Sequence, residues 1–211
     1  METRSPFILG IDLGTTNCAV AFASPEGGTG ARIADLPIPQ LQRSGEIAPL
    51  PLLPSSIYIP GEHELPPGST RLPWGESNGP VAGEFARWQG ARVPGRLAAS
   101  AKSWLCHPGV DRCAPILPWG SPPDVQKISP VEASALLLRH MAAAWNHAHP
   151  EAPAESQEIV ITVPASFDEA ARSLTVAAAN AAGLKQFTLI EEPQAAFYDY
   201  IARHRNDLTE A

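Results

Sequence analysis

Phe7-Ile8-Leu9-Gly10-Ile11-Asp12-Leu13-Gly14-Thr15-Thr16-Asn17-Cys18-Ala19-Val20-Ala21-Phe22-Ala23 is the stretch whose reading decides the fold. Phe7 to Leu13 is apolar except for Gly10 and one carboxylate, Asp12. Gly14-Thr15-Thr16-Asn17 is turn chemistry, a glycine without Cβ followed by two hydroxyls and an amide. Cys18 to Ala23 is apolar again, so the pattern predicts strand, tight turn, strand. A glycine-hydroxyl turn between buried strands gathers backbone N–H groups around a small concavity, and such concavities bind phosphate oxygens. Asp12 ends the first strand beside that concavity. A carboxylate next to a phosphate cradle makes electrostatic sense with a cation between them, and Mg²⁺ is the usual one. These residues therefore point to a Mg²⁺-nucleotide site. An ordinary hairpin whose aspartate faces solvent fits the same stretch, because glycine-rich turns are common.

The totals narrow the field. A length of 211 residues suits one domain, or one large domain with a subdomain. A net charge of −7 argues against a nucleic-acid partner, which needs a basic stripe. No apolar run is long enough to span a bilayer, so no membrane role is expected. The opening METRSPFILG lacks the parts of a secretory signal. Cys18, Cys106 and Cys113 are odd in number and irregular in spacing, which suits reduced thiols in a cytoplasmic protein. Cys106, His107 and Cys113 offer three potential zinc ligands without a fourth nearby or a knuckle spacing.

Proline is the unusual residue. Of 23 prolines, 17 lie between Pro37 and Pro130, together with four of the five tryptophans. Proline lacks the N–H and clashes with the preceding turn, so this segment cannot hold long helices or central strands. It is too apolar for a linker. We read 45–128 as an inserted subdomain packed around Trp74, Trp88, Trp104 and Trp119, and 1–44 with 129–211 as the core.

Around the insertion the chain alternates. Ala31 to Ile38 can supply a third strand after a turn at Gly27–Gly30. Ser55 to Ile59 reads as a short or edge strand between prolines. Gly83 to Trp104 is helical in pattern, broken at Pro94, and carries Arg87, Arg92, Arg96 and Lys102. Taken alone these four are a solvated helix face. Ser129-Pro130-Val131-Glu132 is a capping box opening a helix that Pro150 ends, with His140, His147 and His149 at its surface. Glu158 to Val163 reads as a central parallel strand buried on both faces. Ser166 or Asp168 caps the alanine-rich helix after it, and Gly183 stops that helix. Phe187 to Ile190 is the next strand, joined by a right-handed crossover. A last helix starts at Pro193 with Ala196, Phe197, Tyr200 and Ile201 inward. The fold class expected is α/β, a ribonuclease-H-like lobe of the actin-like ATPase type, with a mixed sheet flanked by helices.

The opening stretch and four further ones carry a resemblance. Ile11 to Asn17 resembles the first phosphate motif of the seventy-kilodalton heat-shock chaperones, the DnaK-type family. Val163-Pro164-Ala165-Ser166-Phe167-Asp168-Glu169-Ala170-Ala171-Arg172 resembles the segment after that family's fourth core strand. Glu191-Glu192-Pro193-Gln194-Ala195-Ala196 resembles its connecting motif. Leu53-Pro54-Ser55-Ser56-Ile57 and Ser100-Ala101-Lys102 match in the right order. The match is close over 7–23 and 159–201 and thin between. Actin-like filament proteins of the MreB type share the first and last motifs, so a filament-forming or scaffold ATPase is the alternative.

The resemblance implies roles. Gly14, Thr15, Thr16 and Asn17 would meet the phosphates of ATP or ADP. Asp12 and Glu192 would hold Mg²⁺ through its waters. Lys102 would reach the γ-phosphate and the attacking water, and Lys102, Asp12 and Glu192 would be the catalytic set. Pro164 and Arg172 match positions through which the family relays nucleotide state to client polypeptides, with co-chaperones as further partners. The family's second phosphate motif should follow the last helix, and 211 residues end before it. This chain by itself is therefore expected to bind ATP weakly and to hydrolyse little.

Overall fold

The computed structural model describes residues 6–76 and 79–204. In chain order its elements are β1 (Ile8–Asp12), β2 (Asn17–Ala23), β3 (Ala34–Asp35), β4 (Ile38–Arg43), β5 (Glu46–Leu50), β6 (Leu53–Pro54) and β7 (Ser56–Tyr58). There follow β8 (Arg71–Leu72), β9 (Gly75–Glu76), β10 (Val81–Ala82), α1 (Glu84–Arg92), β11 (Leu97–Ala99) and α2 (Ala101–Trp104). The chain closes with α3 (Pro130–Ala148), β12 (Glu158–Val163), α4 (Glu169–Ala181), β13 (Phe187–Glu191) and α5 (Glu192–Arg203).

The main sheet runs β13-β12-β1-β2-β3, with β6 also paired to β2. β1 is antiparallel to β2 and parallel to β12, which is parallel to β13. The expected mixed sheet is therefore present. Leu9, Ile11, Ile159 and Ile161 point to one face and join Leu137, Leu138, Met141 and Trp145 of α3 and Ala178 and Ala179 of α4 in one apolar core. The strands alternate because successive side chains leave opposite faces. This corrects the reading of β12 as buried on both faces: Ile159, Ile161 and Val163 are buried, while Val160 and Thr162 on the other face are half-buried. Helices α3 and α4 cover only the first face.

The caps act as their chemistry dictates. Ser129 Oγ accepts from the Glu132 N–H at 3.0 Å and Glu132 Oε2 accepts from the Ser129 N–H at 2.8 Å. Asp168, not Ser166, caps α4, accepting from the Ala171 N–H at 2.7 Å. Gly183 takes φ +91°, the left-handed stop. His140 is not at the surface. It is 8% exposed, and its Nε2 donates to the Pro39 carbonyl at 2.9 Å, which ties α3 to β4.

Four more expectations change. The third strand shrinks to Ala34–Asp35, and a separate strand begins at Ile38 to pair with β5. β7 is short, as expected, at three residues, but it is central rather than an edge in the sheet β10-β7-β11. Pro54 does not limit it, because Pro54 belongs to β6 on the other sheet. A second apolar cluster forms from Leu41, Tyr58, Val81, Phe85 and Ala86. The tryptophans are not its centre: Trp88 packs at its edge, with the guanidinium groups of Arg43 and Arg92 each 4.4 Å from its ring, Trp74 and Trp104 pack against the main core instead, and Trp119 is 62% exposed. Helix α5 buries no residue, and Phe197 and Tyr200 are more than half exposed. Its apolar period is real, but β13 is an edge strand, and the described residues give that helix little sheet to cover.

Candidate phosphate and cation site

The turn between β1 and β2 is built on a close approach. A Cβ at Gly14 would lie 2.1 Å from the Asn17 carbonyl oxygen, so only glycine lets the chain fold this tightly. Thr15 and Thr16 are exposed and Asn17 is half-buried. Two bonds from one residue brace the turn from behind. Ser55 Oγ donates to the Gly14 carbonyl at 2.6 Å, and the Ser55 N–H donates to the Thr16 carbonyl at 2.9 Å. Ser55 is positioned by β6, whose Leu53 and Pro54 pair with Cys18 and Asn17. It was legible in the sequence as part of a short matching stretch, but nothing there gave it a task.

Asp12 is exposed at the end of β1. Its Oδ1 accepts from Thr162 Oγ1 at 2.7 Å. Its Oδ2 faces the turn, 3.6 Å from where a Gly14 Cβ would be. Behind the turn Cys18 is fully buried, its Sγ 3.3 Å from Ser55 Oγ. Burial pushes this thiol up to about 11. Asp12 and Lys102 both act electrostatically on it, so the carboxylate and the lysine share its neighbourhood.

Lys102 departs from the solvated face that its basic cluster suggests when taken alone. Arg87 is 59% exposed and pairs with Glu84 on its own helix, whereas Lys102 is 4% exposed. Its ammonium donates to Glu192 Oε1 in a direct ion pair. Two features place it. Ser100, just before α2, takes the left-handed conformation at φ 54° and turns the chain sharply. The Ser100 N–H donates to the Ser55 carbonyl at 3.2 Å, so one serine braces both the turn and the helix that carries the lysine. Glu192 is the first residue of α5, directly after β13, where a carboxylate also suits the helix dipole.

Arg172 reaches from α4 to Glu191, Nη2 to Oε1 at 2.7 Å. Glu191 carried no role in the sequence reading, and it adjoins Glu192. Pro164 is half-buried at the end of β12, and its carbonyl accepts from the Phe167 N–H. Arg112, also without a role in that reading, meets both oxygens of Asp168 at 3.1 Å. That contact holds the Asp168 carboxyl below its usual range.

Among the described residues no three histidines, cysteines, aspartates or glutamates converge as a metal cage. Cys106, His107 and Cys113 do not form one. The chemistry of the donor set nevertheless suits Mg²⁺, which keeps its waters and is held by one or two carboxylates with substrate phosphates rather than by a protein cage. A cavity of about 600 Å³ lies apart from these residues, lined by Glu62, His63, Glu64, Glu76 and Gln126 among others. No described helix is long and apolar enough to cross a membrane.

Comparison with known proteins bears on this geometry. The Hsp70 protein family model matches residues 122–206. The chaperone protein DnaK of Thermotoga petrophila is 29% identical over 200 residues, which are 95% of this chain and 27% of that protein. A chaperone protein HscA homolog of Bordetella pertussis is 32% identical over 202 residues, 91% of this chain and 27% of that protein. A shorter match, to an HscA homolog of Methylococcus capsulatus, is 46% identical over 74 residues, 35% of this chain and 12% of that protein. Where nearly the whole chain is matched, it spans about a quarter of the length of these curated relatives. The filament-forming alternative finds no support among them.

Proposed function

This chain belongs to the Hsp70 family, and on that footing we propose that it forms the N-terminal part of the nucleotide-binding domain of a heat-shock-type chaperone, holding the phosphates of Mg-ATP or Mg-ADP. In this reading 1–44 and 129–211 form the core of the first lobe of an actin-like ATPase and 45–128 an inserted subdomain. The observation that supports it most is the pairing of a buried Lys102 with Glu192, with Ser55 bonded both to the β1–β2 turn and to the segment that carries the lysine.

The roles follow from what each group can do. Gly14 to Asn17 supply backbone N–H groups and hydroxyls for phosphate oxygens. Asp12 and Glu192 are hard-oxygen partners for the waters of Mg²⁺. Mg-ATP, when bound, supplies the phosphoryl group and the negative charge that the site must manage. Lys102 places a fixed positive charge there, and such prearranged electrostatics carry most of the catalysis in phosphoryl transfer. Its low exposure keeps that charge effective, since few waters screen it.

Pro164 and Arg172 would relay nucleotide state towards client polypeptides and co-chaperones. The Arg172–Glu191 pair supports this path, because it links α4 to the residue next to Glu192. A cytoplasmic setting fits the three free cysteines.

The test is steady-state hydrolysis of Mg-ATP by the full-length product that carries this sequence, with calorimetric nucleotide binding alongside. Lys102→Ala is expected to lose hydrolysis and largely keep binding. Unchanged turnover in that variant would remove Lys102 from the mechanism.

A further inference from the structure

We propose that Thr162 is a positioning residue for Asp12, fixing its carboxylate so that one oxygen faces the phosphate turn. The inference rests on the Mg²⁺-nucleotide reading above.

Asp12 and Thr162 are paired across parallel strands β1 and β12. In-register partners project from the same face of a sheet, here the face that α3 and α4 leave uncovered. An aspartate at an exposed strand end has several rotamers open to it and no packing to select one. The threonine hydroxyl supplies the selection. Its Oγ1 donates to Asp12 Oδ1 at 2.7 Å, a hydrogen bond assisted by the carboxylate charge. A β-branched side chain holds χ1 stiffly, so the donor is itself fixed. With Oδ1 engaged, Oδ2 is the oxygen turned to the Gly14 side. Partners behind a metal-binding carboxylate orient it and are part of the site's affinity.

The strand itself does not need the hydroxyl. Valine has the same shape and an equal or better preference for a half-buried strand position. Thr162→Val therefore removes the bond to Asp12 and leaves β12 intact, and Thr162→Ser restores a donor. Thr162→Ala provides a second deletion if valine disturbs the fold, which the dispersion of the amide spectrum reports.

The experiment is an NMR titration of the 211-residue chain with ADP, following the amides of Gly14 to Asn17, once with excess Mg²⁺ and once with the metal chelated. Thr162→Val should weaken the Mg²⁺-dependent binding about three- to tenfold, the scale of one lost charge-assisted bond. Binding without metal should not change, and Thr162→Ser should recover most of the loss. Equal weakening with and without metal would mean that the hydroxyl serves the turn rather than the cation, and would overturn the proposal. No change in either condition would overturn it as well. Asp12→Asn separates this from the underlying reading. If that variant keeps the Mg²⁺ dependence of the parent chain, the Mg²⁺ assignment fails and the role of Thr162 falls with it.

Discussion

Lys102 and Glu192 stand 90 positions apart and meet in a direct ion pair, the lysine 4% exposed and the glutamate 43%. The asymmetry has a consequence for stability. Removing the glutamate strands a buried ammonium, whereas removing the lysine leaves a carboxylate that water can solvate. Breaking a fully buried pair costs about 3–5 kcal/mol. Solvent at Glu192 lowers the expected loss for Glu192→Gln to about 1–2 kcal/mol. Lys102→Met should cost less than about 1 kcal/mol, since methionine fills most of the volume without a charge to compensate. Urea denaturation of the two single variants and the double variant measures this. Losses that simply add would show that the pair contributes no coupling, and equal losses in the two single variants would overturn the asymmetry.

The turn makes a second prediction. Gly14→Ala places a methyl group 2.1 Å from the Asn17 carbonyl, a backbone atom that cannot swing aside. The β1–β2 connection must open, at about 1–3 kcal/mol, the range for overpacking. Ser55→Ala leaves the Gly14 carbonyl without its hydroxyl partner and should cost about 1 kcal/mol. Both should weaken nucleotide binding by more than they change the far side of the sheet. Amide exchange in β13 serves as the internal reference.

Stability should also depend on pH through His140. Burial favours its neutral form and lowers its pKa from the ordinary 6.5, with the Pro39 carbonyl opposing in part. The unfolded chain then takes up the proton at a higher pH than the folded one. The stabilisation is fully present above the unfolded value, declines as pH falls through it, and is lost once pH is below the folded value. Urea midpoints should therefore drop between about pH 7 and pH 5 by more than in His140→Gln, the unfolded histidine value near 6.5 setting the upper edge. Parallel curves for the two proteins would exclude His140 as the cause.

Thiol chemistry gives a fourth check. Cys18 is buried and its pKa is raised to about 11, while Cys113 is exposed. The thiolate is the reactive form. At pH 8 a thiol reagent should label Cys113 quickly and Cys18 only on unfolding. Rapid labelling of Cys18, read by peptide mass, would mean that the turn opens in the native state.

Local chemistry was legible from the start. The glycine-hydroxyl turn, the Ser129–Glu132 capping box, the stop at Gly183 and the strand-helix-strand crossover all follow from short-range rules, and each is present. The misreadings share one cause. The burial of His140, the central place of β7 and the exposed aromatics of α5 depend on which distant segment lies alongside, and periodicity reports a preferred face, not its cover. The tryptophans misled for the same reason. They are large and apolar, yet Tyr58 and Phe85 hold the centre of the second cluster and Trp119 lies outside.

The opening stretch shows where the division falls. By itself the sequence determined that residues 7–23 form a hairpin with a tight, glycine-dependent turn and a carboxylate at its edge, because backbone sterics and side-chain periodicity act over a few residues. The resemblance of its motifs added which distant residues to watch. Tertiary structure alone decided that Ser55 braces the turn, that Thr162 holds the Asp12 carboxylate, and that Lys102 leaves the solvated face expected of its neighbours to pair with Glu192. Those are contacts between residues 41, 150 and 90 positions apart. Such contacts are set by how strands stack and where helices end in space, which no local rule encodes.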